Sequence, residues 1–164
     1  MPVITTIHPY SECASCLLNG TYASGAWPAA NRAIFIPFRL PKAQTVVQLA
    51  SLNGTAVSGN VDMGIYTMGG SKVVSIGTTV QTGTSTIQIY DIADTLLAPG
   101  YYMLALALDN TTGTFFRFVP SAQWATTMGV QQMASAFVLP SSVTYATPVS
   151  AYVPMVYAIF ANTF

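Results

Sequence analysis

The sequence predicts an all-β protein, an antiparallel two-sheet sandwich of jelly-roll type with an irregular N-terminal arm. Three observations lead there. Apolar and polar residues alternate with period 2 in about eight short segments. Turn pairs such as Asn53-Gly54, Gly69-Gly70 and Pro99-Gly100 separate these segments. No strand-helix-strand alternation runs through the chain, which argues against a parallel sheet. An immunoglobulin-like sandwich is the nearest alternative, but its paired core cysteines around a tryptophan are missing from this sequence.

Residues 1–26 read as the arm and residues 27–164 as one sandwich domain. Pro2, Pro9, Gly20 and Gly25 interrupt the arm too often for a regular element. Its apolar residues, among them Ile4, Ile7, Tyr10, Leu17 and Leu18, come with Glu12 as the one charged side chain, so the arm is expected to order on a neighbouring molecule. Arg32, Ile34, Ile36 and Phe38 then alternate as a first core strand, with Pro37 marking an edge or bulge. Val46 to Leu52 is the next strand, closed by an Asn53-Gly54 turn.

Val61, Met63 and Ile65 alternate with Asp62, Gly64 and Tyr66, predicting a strand with one buried and one partly wet face. Gly69-Gly70 turns it into a partner carrying Val74 and Ile76 on one side. Thr86 to Ile92 repeats the pattern through Ile87 and Ile89. Tyr101 to Asp109 is apolar on both sides, as expected of a central strand covered on both faces. Thr114 to Val119 is a short aromatic strand, Gln123 to Phe137 a short helix or ordered loop, and Met155 to Phe160 a strand that closes one sheet.

At 164 residues the chain is long enough for one core without disulfides. Lys, Arg, Asp and Glu together make 6% of it, against roughly 25% in an ordinary domain, while 52% is apolar. A surface so poor in charge implies coverage by other subunits, and a polar uncharged surface is the alternative. Five basic and five acidic residues supply no field for a nucleic-acid backbone, so nucleic acid is not expected as a partner. The longest apolar run, Leu96 to Leu108, is broken by Pro99-Gly100 and is too short to span a bilayer, so no membrane partner is expected. Met1 to Tyr10 lacks the basic start and apolar run of a signal peptide, which places synthesis in a cytosol.

Chemistry finds little support. Cys13 and Cys16 form a CxxC with His8 upstream, but a second ligand pair is missing, so ordinary thiols are read ahead of a disulfide or a metal, and no cofactor is expected. A nucleophile relay would depend on His8, the single histidine, which sits in the arm. Asp62, Asp91, Asp94 and Asp109 could pair as glycosidase carboxyls, yet Asp94 and Asp109 fall at strand ends where aspartate usually bonds turn amides. The chain is therefore expected not to be an enzyme. Trp27, Tyr66, Tyr90, Trp124 and Tyr145 are the candidate binding residues, either as a glycan platform or a subunit interface, with core packing as the structural alternative. Phe115, Phe116, Trp124, Tyr152 and Tyr157 exceed the aromatic surface one small sandwich is expected to hide.

The motifs AWPAANRAIFIPFRL, NGTAVSGNVDMGIY and LLAPGYYMLALALDNTTG, with the Gly69-Gly70 hairpin between the last two, resemble a family of small virion proteins of tailed bacteriophages. The resemblance covers just over half of the chain and rests on turns and strands. It implies a sandwich fold and a place in the phage particle, as a capsid decoration or cement protein or as a part of the tail or its fibres. The partners so implied are the major capsid protein or tail proteins. Together with the low charge it leads to a homo-oligomer, with a trimer as the first expectation. A receptor-binding tail module that holds a host glycan is the alternative.

Overall fold

The computed structural model describes residues 5–7, 22–119 and 121–161. His8, Glu12, Cys13 and Cys16, with the expectations attached to them, lie outside the described residues. The strands are β1 (Thr5–Ile7), β2 (Tyr22–Ala26), β3 (Arg32–Leu40), β4 (Gln44–Leu52), β5 (Asn60–Thr67), β6 (Lys72–Ser75), β7 (Thr79–Val80), β8 (Ile87–Leu97), β9 (Gly100–Leu108) and β10 (Thr114–Phe118). A short helix α1 (Ala122–Thr127) follows, then β11 (Gln131–Met133), β12 (Val153–Pro154) and β13 (Val156–Phe160).

The fold is an all-β sandwich whose pairings are antiparallel. One main sheet has the order β1-β13-β4-β8, the other β11-β3-β9-β5-β6 with β7 also on β5, and β12-β10-β2 forms a small third sheet. The short links 41–43 and Ala98–Pro99 carry the chain from one main sheet to the other, so β9 returns between β3 and β5 rather than beside β8.

Alternation fixes which residues fill the core. Ile34, Ile36 and Phe38 of β3, Val61, Met63 and Ile65 of β5, and Leu104, Leu106 and Leu108 of β9 meet Val46, Leu49, Tyr90 and Ile92 from the facing sheet. The opposite face of β3, β5 and β9 is buried as well, by Ala33, Phe35, Tyr66, Met103, Ala105 and Ala107 under Ala136 and Leu139. The double apolar character of β9 thus has the expected cause. On β5 the expected wet face is dry, because residues 134–146 lie across it as a strap.

Four expectations are corrected. The arm is not irregular throughout: β1 pairs with β13 and β2 with β10, both within the chain, with β2 matched residue for residue from Tyr22↔Phe118 to Ala26↔Thr114. The β8 strand turns Tyr90 and Ile92 inward and leaves Ile87 and Ile89 more than half exposed. Tyr90 can be buried because its hydroxyl meets Ser51 Oγ at 3.0 Å on the neighbouring strand. Asn53-Gly54 is not a two-residue hairpin. Asn53 bridges to Phe115 and the Gly54 amide donates to Thr114 O at 2.9 Å, joining the end of β4 to β10. Finally, most of the supposedly surplus aromatic surface is hidden, since Phe115 and Tyr152 are core residues and Phe116 and Tyr157 are partly buried.

Pro37 behaves as its missing amide hydrogen requires. It pairs with Met103 on one side, while β11 on the other side ends opposite Phe35. The helix α1 starts at Ser121, whose Oγ accepts from the Trp124 amide at 3.2 Å, and closes at Gly129 with φ +77°.

Candidate functional site

The five candidate binding residues do not form one site. Trp27, Tyr66 and Tyr90 are buried, which corrects the reading of them as exposed platforms. Trp27 directly follows β2 and stands edge-on to Phe115 and Tyr152, and its Nε1 donates to Arg32 O at 3.0 Å. Tyr66 and Tyr145 flank Phe35 with edge contacts at 5.4 and 5.2 Å between ring centroids. Their hydroxyls are occupied too, Tyr66 donating to Pro140 O at 2.6 Å and Tyr145 to Thr67 O at 2.8 Å. These two tyrosines fasten the strap to the sheet.

Trp124 alone of the five is exposed, by 46%. On α1 Ala125 faces the core, and Val130 just beyond the helix is buried as well, while Gln123, Trp124, Thr126 and Thr127 are exposed, so the indole beside Ala125 points outward. A shallow open depression of about 340 Å³ is bordered by Gln123, Trp124 and Thr127. It presents one aromatic face with an amide and a hydroxyl at its rim, a set suited to a polar ring with an apolar face.

The carboxylates are dispersed over the fold. Asp91 and Asp94 are exposed on β8, and Asp109 directly follows β9. Burial pushes the Asp109 carboxyl up, but the Asn60 backbone amide, with bonds from Asn60 Nδ2 at 2.9 Å and Asn110 Nδ2 at 2.6 Å, outweighs it and holds the group below the usual range. That is the work of a turn anchor. Asp62 differs, being fully buried under the strap. Its Oδ2 accepts from the Leu139 amide at 3.0 Å, Oδ1 has no hydrogen-bond partner, and burial raises its pKa. Among the described residues no group of three or more His, Cys, Asp or Glu could hold a metal ion, and no helix is long and apolar enough to cross a membrane.

A second polar cluster escaped the sequence reading. Asn53, fully buried, donates from Nδ2 to Thr82 O at 2.6 Å and Gln88 Oε1 at 2.9 Å, while Gln81 Nε2 donates to its Oδ1 at 3.3 Å and to Thr114 O at 2.9 Å. Gln81 Oε1 accepts from the Ser58 amide at 2.9 Å. The cluster ties β4, the loop after β7, β8 and β10 together at one end of the sandwich. The Asn53-Gly54 turn motif drew attention to the backbone and away from this side chain.

Compared with known proteins, the chain matches no family model, and it matches no curated protein. Among solved structures it is similar to a chain in the structure of infectious bursal disease virus Gt strain, at 10% identity and a TM-score of 0.31. That alignment covers 97% of this chain but 41% of the other, so this chain spans about two-fifths of its neighbour's length. The likeness is too distant to bear on fold or role.

Proposed function

We propose that this chain is a non-enzymatic structural protein of a bacteriophage virion, made in the host cytoplasm and assembled on the capsid as a decoration or cement protein. One observation carries the reading: a rigid sandwich with few charges displays large apolar side chains outward, among them Ile87, Ile89 and Leu96 on β8, the last strand of its sheet. An 11-residue end strand with that outer face is an association hazard unless something covers it. The resemblance of residues 27–110 to virion proteins of tailed phages supports placing the cover in a phage particle. The mechanism is associative. Partners are further copies of the chain, in a closed homo-oligomer with a trimer as first choice, and the major capsid protein. Each square ångström of apolar surface buried contributes roughly 25 cal/mol, so many modest contacts act together.

The second reading is a tail or fibre module that holds a host glycan, favoured by exposed Trp124 beside Gln123 and Thr127. Imaging virions labelled at this protein separates the two. Label spread over the shell supports decoration, and label confined to the tail tip rejects it in favour of the receptor module.

A further inference from the structure

We propose that residues 134–146 form a reversible cover over the outer face of the β3-β9-β5 sheet, latched at Leu139 by Asp62 and Lys72 and closing more tightly in acid. The latch holds one residue from both sides. Asp62 Oδ2 accepts from the Leu139 amide at 3.0 Å, and Lys72 Nζ donates to the Leu139 carbonyl at 2.8 Å. Further bonds run from the Lys72 amide to Ser141 O and from the Val143 amide to Gly70 O, each 2.8 Å, and from the Tyr66 hydroxyl to Pro140 O. The two backbone bonds make a single isolated bridge, Ser71↔Ser142, rather than a continuous ladder, and residues 138, 141, 142 and 144 are exposed. Such a segment opens more readily than the core strands beneath it.

The sheet surface is shaped to receive the strap. Ala33, Ala107 and Asp62 are side by side across β3, β9 and β5, as are Phe35, Ala105 and Gly64. A Cβ on Gly64 would lie 2.8 Å from Val74 O and 3.0 Å from Ser75 Cβ on β6, and 3.2 Å from Leu139 Cδ1, so β6 and the strap together leave no room for a side chain there. Lifting it would bare Phe35, Met103 and the alanines.

The pH dependence follows from the buried carboxylate. In its charged form Asp62 is fully enclosed with Oδ1 unpartnered, a state that water would solvate better. Desolvation therefore raises its pKa, against the bond from the Leu139 amide, the positive charge of Lys72 and the nearby Gly77 and Met63 amides, which lower it without placing a well-formed bond on Oδ1. Lys72 comes from β6. Tyr66 from β5 and Tyr145 from the strap are the other titratable groups in this cluster, both neutral through the acid range because burial raises them. From β3 and β9 come Ala33, Phe35, Met103, Ala105 and Ala107, none of which titrates. With the closed-state pKa above the open-state value, closure is strongest below that open-state value. It weakens as pH rises from the open-state to the closed-state pKa.

Amide hydrogen exchange of the full chain tests this, with strap amides normalised to those of β9 and corrected for the intrinsic effect of pH. The expected result is protection of the Leu139 and Val143 amides severalfold greater at pH 4 than at pH 7. Asp62→Asn should remove that dependence. Equal protection at both pH values, or a dependence that survives Asp62→Asn, would overturn the proposal. Should Asp62→Asn not fold, Lys72→Met serves: losing the neighbouring positive charge moves the transition to higher pH, and an unmoved transition contradicts the latch.

Discussion

Tyr152 stands edge-on to Trp27, with ring centroids 5.3 Å apart and planes at 74°, and its hydroxyl reaches past the indole to donate to Gly25 O at 2.6 Å. The pair welds the small sheet to the main core, since Gly25 lies on β2 and Phe115 of β10 also stands edge-on to Trp27. Arg117 covers the Tyr152 ring at 4.7 Å. Removing the hydroxyl with Tyr152→Phe deletes its bond to the Gly25 carbonyl and is expected to cost about 1 kcal/mol. Trp27→Ala should cost about 3–5 kcal/mol through the cavity it opens. Midpoints of chemical denaturation check both, and a neutral Trp27→Ala would mean that the indole is not structural.

The polar node gives a sharper contrast between residue type and burial. Asn53→Leu keeps the branched shape but strips partners from Gln81, Gln88 and the Thr82 carbonyl, and a loss of about 2–3 kcal/mol is expected from the orphaned groups. Asn110→Ala, at a more open site, also frees the Thr112 and Gly113 amides that its Oδ1 accepts, but water can replace it there. Its cost should be the smaller of the two by denaturant titration.

Much of this was legible in the sequence and some was not, for separable reasons. Period-2 alternation located β3, β5, β9, β10 and β13 because each is stiffened by branched or aromatic residues and bounded by turn chemistry. The facing of β8 was misread because Ile87 and Ile89 compete with Tyr90 and Ile92 for the core, and the hydroxyl partner that decides the contest, Ser51, is 39 residues away in sequence from Tyr90. The same limit hid the strap. Nothing local to Asp62 or Gly64 announces that residues 77 and 75 positions onward, at Leu139, will cover them. Of the aromatic candidates, Trp124 is legible as exposed only once Ala125 is known to face inward.

Gly70 offers a test of the strap's approach. Its φ is +87°, in the left-handed region, and a Cβ there would collide with the Val143 carbonyl oxygen. Gly70→Ala is therefore expected to destabilise by about 1–3 kcal/mol from backbone strain and to loosen the strap from the β5-β6 turn. Gly77→Ala is the control, since its φ of +71° carries similar strain while the space around it is open. Hydrogen exchange at residues 141–146 should rise in the first variant and stay unchanged in the second.

Alkaline pH should unfold the protein through its tyrosines. Burial pushes Tyr90 up to about 12, against the bond from Ser51, and Tyr145 up to about 12, and it raises Tyr66 and Tyr152 as well. A phenol whose folded pKa lies above its unfolded value of 10.0 contributes stability in full below pH 10. That contribution is lost as pH rises through the folded pKa. Spectrophotometric titration at 295 nm should show the ionisation of Tyr66, Tyr90, Tyr145 and Tyr152 coinciding with loss of the near-ultraviolet dichroism. Ionisation of all tyrosines in one step near pH 10 with the fold intact would contradict their burial.

The account turns on the outward apolar surface of β8 being covered by other subunits, and the mass of the purified protein at micromolar concentration tests this most directly. Light scattering is predicted to give a closed homo-oligomer, first choice about three times the 17.4 kDa of the chain, and Ile89→Lys is predicted to shift it toward the monomer. A soluble monomer as the single species, unchanged by Ile89→Lys, would contradict it.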